Sequence, residues 1–147
     1  MIEAVAMITT IATALNVVDK FVSISDRLMK KPPKGFSVQA KQVDDKVQII
    51  RDGVVENEVK ANQIVFSATD QIRFDTLKKK VEINWRLYNS LDAQLPLAGG
   101  LEQAKIEVNM LDVKNKLCPD FKEMVLLSEQ ILRIPLADHY TLYRTCS

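Results

Sequence analysis

Hydrophobic patterning is strongest at the start of the chain. Between Met1 and Val18 the only charge is Glu3, and Ile2, Val5, Ile8, Ile11, Leu15, Val18 and Val22 recur at threes and fours. That spacing lays one apolar stripe along a helical face. Thr9, Thr13, Asn16, Lys20, Ser23 and Arg27 recur on another face. Residues 1–31 therefore read as a long amphipathic helix with an apolar N-terminal half. Glu3 complements the positive end of the helix dipole, and Arg27, Lys30 and Lys31 complement the negative end. Pro32-Pro33 stops the helix, because neither proline donates to the ladder and Pro32 disfavours the α region at Lys31. Residues 32–35 form a Pro/Gly hinge.

From Phe36 to Ala68 two periods compete. Val and Ile are frequent enough for strands, and Asp52-Gly53 suits a hairpin turn, yet Ile49-Ile50 and Val54-Val55 break strict alternation. Val43, Val47, Ile50, Val54, Ala61, Ile64 or Val65, and Ala68 follow a three-four repeat, with Gly53 costing about 1 kcal/mol relative to Ala inside a helix. Helix is the preferred reading, with any β element confined to a small hairpin near residues 36–66.

Beyond this segment helical spacing is clear. Leu77, Val81, Trp85, Tyr88, Leu91 and Leu95 mark a helix across residues 72–95, ended by Pro96. The loop at residues 97–100, Leu-Ala-Gly-Gly, folds the next helix back onto it. That next helix carries Leu101, Ala104, Val108 and Leu111 on one line and Ile106, Met110, Val113 and Leu117 on an adjacent line, a width that requires two neighbours. Pro119 suits the first turn of a further helix whose buried side is Phe121, Met124, Val125, Ile131 and Leu132, and Pro135 ends it. Asp138 is placed to cap a terminal turn at 139–144 that tucks in Tyr140, Leu142 and Tyr143. The fold expected is all-α, a single domain over residues 1–147. It is a bundle of four to six helices with a long central helix or helical hairpin, residues 36–147 forming its body.

Composition narrows the class. Gly plus Pro is 9 of 147 residues, about half of average usage, which disfavours a turn-rich sandwich or barrel. A net charge of +1 and nine aromatics give no electrostatic footprint for nucleic acid. Two cysteines, Cys118 and Cys146, have no metal-type spacing, and none of the seven Asn residues begins an N-x-Ser/Thr sequon. These features, with no cationic stretch ahead of the apolar start, point to a cytoplasmic protein with reduced thiols. A Cys118–Cys146 disulfide is the minority reading.

Catalytic chemistry is thinly supplied. No Walker loop, GxGxxG, GxSxG, HExxH or EF-hand loop occurs. His139 is the one imidazole, and a thiol dyad with Cys118 or Cys146 weighs far less than a structural histidine. Asp44-Asp45 and Asp112 read as solvated acids, and Trp85, Tyr88, Tyr140 and Tyr143 as packing anchors. The basic residues Arg27, Lys30, Lys31 and Lys34 compensate a helix end or contact anionic headgroups, and Lys78–Lys80 form a second small cluster. No catalytic residue, metal, cofactor, nucleic acid or small-molecule substrate is expected.

Ile2 to Val18 is 17 residues, at the short end of the ~17–25 that span hydrocarbon, and Thr9, Thr10, Thr13 and Asn16 are polar. One copy suits burial, self-assembly or an interfacial position better than a span. The contact face expected is Ile2, Val5, Ile8, Ile11, Leu15, Val18 and Val22, and the function a non-enzymatic interaction or oligomerisation role with itself or a protein partner. Glu3-Ala4-Val5 followed by Thr13-Ala14-Leu15-Asn16-Val17-Val18 and Phe21 resembles the opening helix of HeLo and HeLo-like domains, over about the first 25 residues. That resemblance implies a helical cell-death module that permeabilises membranes on oligomerisation. It supplies the alternative function, a pore-forming effector whose N-terminal helix is released to the membrane on activation.

Overall fold

The computed structural model describes residues 4–25, 38–136 and 140, without the side chains of 22–25. The elements are α1 (Ala4–Ser25), β1 (Val38–Val43), β2 (Lys46–Arg51), β3 (Val54–Lys60), α2 (Ala68–Gln94) and α3 (Gly100–Leu132), with single 3-10 turns at Ala61–Gln63 and Leu95–Leu97. The chain is therefore α+β among its described residues. The expected bundle of four to six helices is corrected to three helices and one three-stranded antiparallel sheet, ordered β1-β2-β3.

The correction lies where the two periods competed. Asp52 and Gly53 take φ of 51° and 81°, the paired positive values that a tight hairpin turn needs and that Asp-Gly supplies cheaply. Asp44 takes φ 56° in the β1–β2 turn, a conformation that short polar side chains tolerate. Between β2 and β3, Ile49 pairs with Asn57 and Ile50 with Val55, so Glu56 is an extra, bulged residue. The bulge shifts the register by one and spoils the two-residue period of the sequence. Val38, Val47, Ile49 and Val59 nevertheless line one buried face. The opposite face is largely polar, with Lys46 and Glu58 bridged at 3.0 Å.

Helix α1 packs chiefly on β1, with α2 and α3 on its other flank. Met7, Ile8, Ile11, Leu15, Val18 and Phe21 are all fully buried. The exposed Thr9 and Thr13 return their hydroxyls to the carbonyls of Val5 and Thr9, both at 3.0 Å. Phe21 meets Tyr88 and Phe121 with ring centroids 5.1 and 5.0 Å apart, and Trp85 at 6.4 Å. Both Trp85 and Tyr88 are thus packing anchors.

A capping box starts α2: Ser67 Oγ accepts from Asp70 N–H, and an Asp70 carboxylate oxygen accepts from Ser67 N–H, each at 3.1 Å. The loop before α3 folds the two helices into an antiparallel hairpin, as the sequence predicts. The break expected at Pro119 does not occur, and α3 runs through it to Leu132. An interior proline costs about 3 kcal/mol. Leu117, Phe121, Met124, Val125 and Ile131 all lie on one buried side of a single helix, and at about 1.5–3 kcal/mol per buried side chain they outweigh that cost. Arg133, at φ 59°, terminates the helix in the left-handed conformation. The hinge at 32–35 and the turn at 139–144 lie outside the described residues, except Tyr140.

Candidate functional site

Among the described residues, two places stand out for chemistry or contact potential that the core does not use up. The first is polar and internal. Asn16 and Asp19, one turn apart on α1, are nearly fully buried. Asn16 Oδ1 accepts from the backbone N–H of Val38 at 3.0 Å, which fixes the start of β1 on α1. Arg51 Nε donates to Asp19 Oδ1 at 2.8 Å, with side-chain exposures of 24% and 6%. The bulge turns Glu56 into the same region, where its Oε1 accepts from the Tyr140 hydroxyl at 3.2 Å. Next to it Asn57 Nδ2 donates to the carbonyl of Pro135 at 3.2 Å, while its Oδ1 is buried without a partner. The cluster joins α1, β2, β3 and the segment after α3.

Electrostatics in the cluster follow from burial. Desolvation opposes the Arg51 charge, but the hydrogen bond and charge of Asp19, helped by Glu56, outweigh it and leave the guanidinium more basic than usual. Desolvation raises the Glu56 carboxyl above its ordinary value, against the lowering effects of the Tyr140 hydroxyl and Arg51. Burial, then the charges of Glu56 and Asp19, push the Tyr140 phenol far above its usual range, so it stays a donor.

Glu56 has a pH signature. A carboxyl raised in the folded state takes up its proton there before the unfolded chain does. Its contribution to stability therefore grows as pH falls through the folded value, and is complete below the unfolded value of about 4.3. Urea unfolding of the protein and of Glu56→Gln between pH 7 and 4 is expected to show the parent gaining on the variant as pH falls. A flat or declining difference would refute the assignment.

The second place is a surface. Leu101, Val108 and Leu111 are 76%, 60% and 55% exposed, and Ala104 between them is exposed as well. They form one line along the side of α3 turned away from α2, with a shallow depression at Ala104, Lys105, Val108 and Asn109. The second line lies on the opposite side of the helix rather than beside the first, and behaves differently: Ile106, Val113 and Leu117 are buried and Met110 partly so. Among the described residues, the side of α3 carrying Ile106 and Leu117 is covered and the side carrying Leu101 and Leu111 is not. Leu97, at 89% exposure, stands at the hairpin tip.

The face expected for contact lies elsewhere. Ile8, Ile11, Leu15 and Val18 are core residues at 0% exposure, and Val5 is half-buried. Ile2, the side chain of Val22, and the basic residues Arg27, Lys30, Lys31 and Lys34 lie outside the described residues. Ala4–Phe21 has the length and apolarity to cross a membrane, a property that a buried core helix shares. Lys78 bridges to Glu82 at 3.0 Å on α2, and Asp112 is an exposed acid on α3.

Reduced thiols are corrected for Cys118, which is held in a disulfide. Cys146, the only other cysteine in the sequence, lies outside the described residues together with His139 and Tyr143. The sequence places Asn16 on the polar face of the opening helix, but Asp19, Arg51 and Glu56 are distant in sequence and match no motif. The one local signal was Asp19 inside an otherwise apolar stretch. No protein family, curated protein or solved structure matches this chain, and the likeness to HeLo domains rests on the opening helix alone.

Proposed function

We propose that this chain is a non-enzymatic interaction module whose contact surface is the exposed side of α3, with α1 serving as the core that holds the hairpin. The apolar line Leu101, Ala104, Val108 and Leu111 carries the reading. Large apolar residues scattered singly on a surface need no explanation, but a contiguous row at helical spacing on a projecting hairpin is characteristic of a contact site. The polar cluster supports a different role. It ties α1, the sheet and Tyr140 together through side chains whose hydrogen bonds are made inside the fold, which suits a structural lock.

The release of α1 to a membrane is the less favoured reading on energetic grounds. Burial of Met7, Ile8, Ile11, Leu15, Val18 and Phe21 contributes roughly 9–18 kcal/mol at about 1.5–3 kcal/mol each. That is as large as the whole stability of an ordinary domain, about 5–15 kcal/mol. Extraction of α1 would amount to unfolding.

A photo-crosslinking residue placed at Val108 in the full chain, inside cells that produce it, tests the proposal against the same residue at Lys41 on the outer face of the sheet. Discrete adducts from position 108 and none from 41 are expected. Equal labelling from both positions would remove the reading.

A further inference from the structure

We propose that the occupant of the α3 surface is a second copy of this chain, paired antiparallel about a two-fold axis between Asn109 and Met110. The inference rests on the contact-surface reading above and adds partner, orientation and register to it.

The heptad spacing sets the frame. Leu101 and Val108 take one core position, Ala104 and Leu111 the other. Charged residues flank this line on both sides: Lys105 and Asp112 on one, Glu107 and Lys114 on the other. None of these four has an ion-pair partner among the described residues. In an antiparallel helix pair each flank faces the same flank of the partner.

Two registers place apolar residues opposite one another, and charge decides between them. With the axis at Ile106, Leu101 would face the partner's Leu111, but Lys105 would meet the partner's Lys105 and Glu107 the partner's Glu107. With the axis between Asn109 and Met110, Val108 faces the partner's Leu111 and the reverse. Lys105 then meets the partner's Asp112, and Glu107 the partner's Lys114. Symmetry doubles each pair, giving four opposite-charge contacts in place of two like-charge ones. A parallel pairing sets Glu107 against the partner's Asp112, which also repels. Flanking charges set orientation and register in this way in helix pairs generally. The outer layer puts Ala104 beside the partner's Asn115, where a small residue over a shallow depression admits a polar side chain. In the next layer Leu101 meets the partner's Cys118, which is partly buried and held in a disulfide, and beyond it Pro119, Lys122 and Leu126 on the same side of α3 are exposed.

The area is modest. Three large apolar residues and an alanine per copy, with their flanks, come to the low end of specific interfaces, near ~1,200 Å² in total. Self-association is accordingly expected around ~10 µM rather than at nanomolar concentration.

Sedimentation equilibrium of the full chain from 1 to 500 µM tests the proposal, with circular dichroism confirming that each variant is folded. A monomer–dimer equilibrium is expected. Val108→Asp is expected to weaken it by at least about 100-fold, and Lys105→Glu by about tenfold through two like-charge contacts. Combining Lys105→Glu with Asp112→Lys restores opposite charges and is expected to return the constant to within about threefold of the parent. A parent that stays monomeric to 500 µM overturns self-pairing, while crosslinks from position 108 to another protein would leave the contact-surface reading standing. A dimer indifferent to Val108→Asp overturns self-pairing through α3. A dimer broken by Val108→Asp that the charge swap fails to rescue overturns the register.

Discussion

Leu15→Glu is expected to unfold the protein. Leu15 is fully buried on α1 and belongs to the core shared with the sheet and the base of the α2–α3 hairpin. The substitution removes a large apolar side chain and puts an ionisable group where no partner stands ready, and a carboxylate in such a place costs several kcal/mol. Leu15→Ala separates the packing part of this loss. It is expected to cost about 3 kcal/mol, within the ~2–5 of comparable truncations, and to lower Tm by roughly 6–12 °C for a chain of this length. Thermal unfolding followed by circular dichroism measures both. A cooperative transition for Leu15→Glu within a few degrees of the parent would show that α1 is dispensable to the core, and the membrane-release reading would then regain ground.

Arg51→Met carries the next largest expected loss, about 2–4 kcal/mol. The variant keeps most of the side-chain volume and removes the cation beside Asp19, whose side chain is only 6% exposed. Leaving one member of a buried pair uncompensated is costly, while replacing both members by apolar groups is often close to neutral. Arg51→Met combined with Asp19→Leu is therefore expected to recover most of the stability lost by Arg51→Met alone. Glu56 tempers that recovery, because its charge also faces Arg51. Urea denaturation of the two single variants and the double variant completes the cycle. Strict additivity would mean that Asp19 and Arg51 are solvated independently and that the cluster is no lock. This prediction concerns stability alone and leaves the α3 surface untouched.

Helices α1, α2 and the first half of α3 were legible because each buries one side and exposes another, so the 3.6-residue period reaches the sequence intact. The sheet was not legible. Bulged Glu56 puts two residues of β3 against one of β2, and the alternation that would announce a strand is lost where Ile49-Ile50 and Val54-Val55 stand. Asp52-Gly53 is the hairpin signal that does reach the sequence, and the three-four repeat from Val43 to Ala68 competes with it. Pro119 misled for a related reason: local preference says stop, and the apolar residues on either side of it pack as one surface.

The same logic separates the two candidate sites. The α3 line was visible as one of two apolar lines on that helix, although a sequence does not say which of them the described protomer covers. The polar cluster draws Asp19, Arg51, Glu56 and Tyr140 from four separate places, and proximity of that kind is a product of the fold.

By itself the amino-acid sequence determined the helical stretches of α1, α2 and the first half of α3, the hairpin that joins the last two, and an opening helix that has to be shielded from water, but not the number of helices. Tertiary structure alone decided what shields it: a three-stranded sheet and the base of the hairpin take the α1 face, so the contact surface we propose lies on α3 instead. The physical reason is that periodicity records how many sides of a helix are apolar, whereas the choice of what each side meets is made by packing among distant segments.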